Sequence, residues 1–411
     1  MVGVEALNVY GGAAYIDVGR LCEQRGLERA RIENLMMREK TMALPNEDPI
    51  SFAVTAARPL IEAMEPAARA RIEMVVACTE SGVDFGKSIS TYLQDLLGLP
   101  RNCRLFEIKQ ACYSATAGLQ MAINFLLSGT SPGAKALVVA TDISRFALAD
   151  DRAIQEWAYS EPTSGAGAVA MVIGDAPGLL RIDPGAYGNH GYEVMDTCRP
   201  GPDMEAGDAD LSLMAYLDCC EGAWRDYARR VEGADIRETF GRLCFHNPFG
   251  GMVKGAHRHL LRRFARAASS EIDADFSRRV LPSLGFGQRV GNIAGGSLYL
   301  ALAGCIDAGA EGERVGLFSY GSGCCSEFFS GVVPQGAQAL LAKQNIGAGL
   351  DRRRALSMDE YEALLRGGKA LRFGVRDAVP DAEMSALASS AATPRLVLKE
   401  IVGYHRVYRW V

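Results

Sequence analysis

Three side chains stand where their chemistry could be used. Cys112, within EIKQACYSATAGLQMAINFLLSG (107–129), lies at a turn leading into a helix. Unpaired N–H groups and the helix dipole favour a thiolate there, which makes Cys112 a nucleophile. The same residue also reads as a small buried hydrophobe. Glu80, in CTESG, directly follows an apolar strand. A carboxylate partly withdrawn from water is a useful base at neutral pH; a turn carboxylate is the other reading. His246 is one of five histidines and stands between a second apolar strand and the turn NPFGG. Asn292, in VGN, and Ser322, in YGSG, lie in two further turns. Both could donate hydrogen bonds to a thioester carbonyl or an enolate, although YGSG also fits a tight glycine turn.

The elements that would carry these residues repeat. In the first half, MVVAC leads to Glu80, a turn and small-residue helix follow Cys112, and KALVVATDIS (135–144) is a strand with a polar end. In the second half RLCF leads to His246, RVGNIAGGSLYLALAGCI (289–306) is turn then apolar helix, and RVGLFSYGSG (314–323) is strand then polar turn. Cys112 to Thr141 spans 29 positions and Asn292 to Tyr320 spans 28. This pattern predicts a duplicated α/β unit, 1–175 and 176–411, whose second copy carries loop insertions. Glu80 and His246 then occupy matching places facing one cleft. The helix after Cys112, apolar or small nearly all round, is expected to be buried. The region 183–210, rich in glycine and proline, reads as connection and lid. Helices are expected over 18–38 and 50–64, and the tail 358–411 mixes one helix with the strand-like LVLKEIVGYHRVY.

Composition excludes several functions. The chain has 411 residues and a formal net charge of −5, with 44 lysines and arginines against 49 acids. No long basic stretch suggests nucleic acid. The longest apolar runs, 136–140 and 298–303, are far short of a membrane span, and the N-terminus lacks the basic region of a signal peptide. Eleven cysteines without CxxC spacing read as reduced, cytosolic thiols and not as a disulfide framework or zinc site. No metal is expected. GVDFGKS is one residue short of a P-loop, and GAGAVA enters a strand where a dinucleotide site would enter a helix. Arg25, Arg29, Arg31, Arg38 and Lys40 form either a solvated face or a contact for an anionic partner.

Together, TES at Glu80, QACYSATAGLQMA at Cys112, FHNPFGGMVKGA at His246, VGN at Asn292 and SYGSG at Ser322 resemble the 3-hydroxy-3-methylglutaryl-CoA synthase family of the thiolase superfamily. The resemblance implies a duplicated five-layer αβαβα fold. It implies that Cys112 takes an acetyl group from a thioester, Glu80 removes a methyl proton, and the enolate attacks a β-ketoacyl thioester positioned by His246. Water then frees the product. The backbone N–H of Cys112 and groups near Ser322 would face the enolate oxygen. Ser212, in DLSLMAYLD, matches a substrate-side serine.

Two departures refine this picture. Phe146 stands where metabolic members carry tyrosine, and PFGGMVKGA replaces a PFTKMGKKA-like segment, leaving Lys254. The wording is closer to the 3-hydroxy-3-methylglutaryl-ACP synthases of polyketide β-branching cassettes. That branch implies acetyl-donor and acceptor acyl carrier proteins as partners, phosphopantetheine on those carriers, no cofactor on the enzyme, and a homodimer. Arg31 or a neighbour would contact the phosphopantetheine phosphate or a carrier helix. The rival is a metabolic synthase using acetyl-CoA and acetoacetyl-CoA.

Overall fold

A computed structural model describes residues 1–144, 160–201, 204–367, 374–389 and 394–411. Nine strands form one mixed sheet: β1 (Gly3–Tyr10), β2 (Ile72–Cys78), β3 (Arg104–Ile108), β4 (Lys135–Ile143), β5 (Ala166–Gly174), β6 (Leu180–Gly191), β7 (Arg242–Phe245), β8 (Arg314–Gly321) and β9 (Cys325–Val332). Their spatial order is β7-β8-β9-β6-β1-β5-β4-β2-β3. The duplication is written in the strand directions. β2 and β4 are parallel, and β4, β5 and β1 are successively antiparallel. β7 and β8 are likewise parallel, and β8, β9 and β6 successively antiparallel. The halves meet where β1 pairs with β6 through Gly3–Arg181 and Val4–Leu180.

Alternation along the strands sorts side chains into layers. Val76, Val138 and Val169 face a central core shared with Leu119 of α2 (Ser114–Leu127) and Leu298–Ile306 of α6 (Gly296–Asp307). Val75, Leu137 and Ala168 face the other way, onto α1 (Pro49–Glu62). On the second half Leu317 faces the central core, while Phe318 packs with α3 (Ala209–Arg230) and α4 (Gly250–Phe264). The two halves of the one sheet thus share the central core around α2 and α6 and carry α1 on one outer side and α3 and α4 on the other: helix, half-sheet, helix, half-sheet, helix, the expected layering.

Three expectations change. The segment 183–210 is not all connection: its first part, up to Gly191, lies inside β6 and pairs with β9. Gly188 is required there, because a Cβ would lie 2.0 Å from the backbone nitrogen of Tyr227 on α3. The helix after Cys112 is only half-buried, with Met121 47% and Leu127 52% exposed; its inner face alone meets the sheet. The stretch 18–38 is two helices, Val18–Gln24 and Arg29–Leu35, and its cations do not share one solvated face. Arg25 pairs with Glu161 and Glu362, and Lys40 is buried against the Glu161 carbonyl. The tail forms the helix Met358–Gly367 and a hairpin, Leu396–Val402 with His405–Trp410. Among the described residues no helix is long and apolar enough to cross a membrane.

Candidate active site

Cys112 sits between the end of β3 and the start of α2. Ala111, just before it, has φ +41°, and the turn closes through the Tyr113 N–H to the Gln110 carbonyl at 3.0 Å. A non-glycine residue at positive φ is strained and persists where neighbours over-determine it. Those neighbours come from the second half. A Cβ on Gly321, at the end of β8, would lie 2.6 Å from both the Gln110 oxygen and the Tyr113 nitrogen. A Cβ on Gly295, in the Asn292 turn, would lie 2.8 Å from Ser114 Oγ and 3.0 Å from the Ala115 nitrogen. Three stretches of backbone therefore touch around Cys112. Tyr113 and Gln120 also donate to the two oxygens of Glu327 on β9, at 2.7 and 2.5 Å, and burial pushes that carboxyl up to about 7.

Glu80 lies half-buried beyond the end of β2. Its neighbour Thr79 donates its N–H to Ile108, four residues before Cys112, so the two turns are adjacent. Asp142, at the end of β4, gathers this turn: its Oδ1 accepts from Thr79 Oγ1, Glu80 N–H, Ser81 N–H and Ser81 Oγ at 2.7–3.0 Å. Burial, then the Glu80 charge, push Asp142 up to about 7. Arg199, on the strand Thr197–Gly201, reaches in from the second half, 3.5 Å from Glu80 Oε1.

His246 is fixed by its backbone. Its N–H donates to Phe318 of β8 at 2.7 Å, and its carbonyl accepts from Tyr216 Oη at 2.6 Å. The ring is buried, Nδ1 has no hydrogen-bond partner, and burial lowers its pKa to about 3. It is a neutral imidazole, able to polarise a carbonyl as a donor without a cation's charge. Asn292 commits Oδ1 to Ala294 N–H and Ser297 Oγ, so Nδ2 is what it can offer a ligand. Asp196 anchors the Ser322 turn by accepting from Tyr320 Oη at 2.5 Å and Gly323 N–H at 2.9 Å. The arrangement can hold an acylated thiol beside a carboxylate base and neutral donors.

The comparisons with known proteins address the same residues. Family models described as hydroxymethylglutaryl-coenzyme A synthase N terminal and C terminal match residues 1–177 and 258–393. The polyketide biosynthesis 3-hydroxy-3-methylglutaryl-ACP synthase PksG of Bacillus subtilis is 56% identical, covering 100% of this chain and 99% of the relative. The chain belongs to the hydroxymethylglutaryl-CoA synthase family. This makes it an acyl-transferring, carbon–carbon bond-forming enzyme with the thiolase-like fold. The curacin biosynthetic pathway HMG synthase, solved in complex with holo donor-ACP, is 57% identical with a TM-score of 0.96 over the whole of both chains. MvaS in complex with 3-hydroxy-3-methylglutaryl coenzyme A is 34% identical with a TM-score of 0.85, covering 99% of this chain and 98% of that one.

Within this synthase fold Glu80 and Cys112 lie on turns that follow β2 and β3 of the first half, while His246 and Ser322 lie on turns that follow β7 and β8 and Asn292 on the turn before α6 in the second. The remaining expected residues are placed less centrally. Ser212 is half-buried in the first turn of α3. Lys254, on α4, pairs with Asp273 at 3.0 Å and lies over the Phe276 ring, both on α5 (Ser269–Arg279). Arg31 is half-buried in a helix that packs at Asn34 and Met36 against Gly250 and Gly251, where α4 leaves the His246 turn. Phe146 lies outside the described residues. No group of three or more His, Cys, Asp or Glu among the described residues could hold a metal. Sequence reasoning assigned no role to Asp142, Asp196 or Arg199. Asp142 carries the same signal as Glu80, a carboxylate at the end of an apolar strand. Arg199, in CRPG, carries none.

Proposed function

We propose that this chain is a 3-hydroxy-3-methylglutaryl-ACP synthase of polyketide β-branching. The Cys112 thiolate takes an acetyl group from an acetyl-donor acyl carrier protein, releasing the carrier's phosphopantetheine thiol. Glu80 takes a proton from the acetyl methyl group. The enolate carbon bonds to the β-keto carbon of an acceptor-ACP intermediate, whose carbonyl π bond opens and whose oxygen becomes a hydroxyl by taking the proton held by the Glu80 carboxyl. Water then cleaves the Cys112 thioester, leaving a carboxylate and a free thiol. His246 polarises the ketone, Asn292 and Ser322 donate to the thioester or enolate oxygen, and Ser212, Lys254 and Arg31 line the substrate or carrier side, a role the family resemblance also gives Phe146. We read 1–175 and 176–411 as the two copies that meet at this site. The enzyme needs no cofactor of its own and works in the cytoplasm. It forms a homodimer, consistent with the edge strand β3, which pairs with β2 and leaves its other edge unpaired among the described residues.

The observation that carries the reading is the gap in likeness. Identity is 56–57% to the two polyketide-pathway synthases and 33–34% to the Enterococcus faecalis hydroxymethylglutaryl-CoA synthase and MvaS. The test is intact-protein mass spectrometry after mixing with acetyl-loaded carrier protein or with acetyl-CoA. Fast acetylation from the carrier, slow acetylation from CoA and none in Cys112→Ala are expected. Efficient loading from CoA would assign the metabolic reaction with acetoacetyl-CoA instead.

A further inference from the structure

Arg199 belongs to the second half yet ends at the base of the first. Its Nη2 is 3.5 Å from Glu80 Oε1, and its Nη1 donates to Ser81 Oγ at 2.9 Å. Ser81 Oγ in turn donates to Asp142 Oδ1 at 2.7 Å, and the same oxygen accepts the Glu80 N–H. One guanidinium thus faces a pocket shared by two carboxyls. The Arg199 side chain is 14% exposed and that of Glu80 22%, so water screens the group weakly. The charged and titratable groups around the pocket include Asp142 from β4, Arg199 from the strand Thr197–Gly201, Glu107 from β3, which approaches Gly82, and the buried Cys78 thiol of β2, which feels both Asp142 and Glu107.

On the reaction proposed above, we infer that Arg199 is the positioning residue for Glu80: it orients the carboxylate and keeps it ionised beside Asp142, so that proton abstraction, and not acyl loading, depends on it. Two adjacent carboxyls resist being ionised together, and a nearby cation eases that resistance. The electrostatics of Asp142 agree, since the Glu80 charge raises its pKa and Arg199 lowers it. Without Arg199 that resistance would rise, and the proton that Asp142 holds to about pH 7 would be shared with Glu80, blocking the base. A guanidinium also fixes direction through two nitrogens, one on Glu80 and one on Ser81, which a lysine could do only in part.

The experiment separates the two steps. The full-length enzyme is loaded from a carrier bearing a trideuterated acetyl group. Acetylation of Cys112 and loss of deuterium from the enzyme-bound methyl group are both followed by mass spectrometry from pH 5.5 to 9. Arg199→Gln should slow acetylation no more than threefold and deuterium loss at pH 7 at least thirtyfold, with the acid limb of deuterium loss moved up by about one pH unit. Arg199→Lys, which keeps the charge, should leave that limb within 0.3 unit of wild type and lose less than tenfold in rate. It also carries the test if the glutamine variant lacks a cooperative thermal transition. Equal losses in acetylation and deuterium exchange, an unmoved acid limb, or a lysine variant indistinguishable from the glutamine variant would each overturn the inference. A wild-type enzyme that is neither acetylated nor exchanges deuterium would instead overturn the proposed reaction, and the inference with it.

Discussion

Asp142 and His246 are both buried titratable groups, and burial drives them in opposite directions. His246 stays neutral down to about pH 3, so the pH dependence of the reaction in the neutral range is not its own. Asp142 holds its proton to about pH 7 in the folded protein, against about 4 in the unfolded chain. Between those values the native state binds more protons, so this group lowers stability as pH rises through the window. Asp142→Asn removes the titration and keeps Oδ1, where the four donors converge. Its urea midpoint should exceed that of wild type at pH 8, by up to about 4 kcal/mol in stability, and the gap should shrink steadily toward pH 4. A gap independent of pH would show that Asp142 is ionised throughout. At this scale the positions of Glu80 and His246 after apolar strands were legible in the sequence, while Asp142, with the same signal, was passed over. Arg199 was not legible, because its function depends on the partner that folding brings to it.

At the scale of elements, α2 decides where Cys112 lies. The helix rests on the sheet through Gly118, where a Cβ would come 2.6 Å from Cys78 Sγ and 3.3 Å from Val76 and Val138. Gly118→Ala gains up to about 1 kcal/mol of helix propensity but overpacks the interface at a cost of about 1–3 kcal/mol. The melting temperature should fall, and acetylation of Cys112 should slow at least tenfold as the helix lifts. A Cβ at Gly255, in α4, would meet nothing within 4 Å, so Gly255→Ala should hold or raise the melting temperature with the loading rate unchanged. Opposite behaviour of the pair would mean that the close approach of α2 to the sheet is not what seats the nucleophile. Strands with unbroken apolar runs, such as MVVAC and LVVA, were legible from the sequence. β6 was read as a connection because its glycines and proline mimic a loop; its place in the sheet comes from pairing with β9 and β1, a long-range fact.

Across the whole molecule the C-terminus closes onto the first half. Arg406 Nη1 and Tyr408 Oη both donate to Asp48 Oδ2, at 2.9 and 2.7 Å, and Asp48 also caps α1 through Ser51. All of Arg406 and Asp48 except a small fraction is buried. Removing one member of a buried pair strands the other charge, at a cost of about 3–5 kcal/mol. Arg406→Met should therefore lower the chemical-denaturation midpoint sharply. Arg409→Met, on the same strand but exposed, should change stability by less than about 0.5 kcal/mol. Equal effects would reduce the hairpin to a surface ornament. The strand character of LVLKEIVGYHRVY was legible, though not its folding into a hairpin. Its attachment to α1 was not, since 358 positions separate Asp48 from Arg406.

The meeting of bare backbone at Gly321, Gly295 and Gln110 also bears on how this enzyme could be altered. A randomised library at those glycines would return almost only inactive clones, because every other residue adds an atom where another chain segment already lies. Acceptor preference must then be sought where side chains still have freedom. The outer face of α3 around Ser212, with Leu211, Leu213 and Met214 open to solvent, offers such a place. On the proposed reaction, where Ser212 lies on the substrate side, changes there should alter acceptor preference while the turns stay in place.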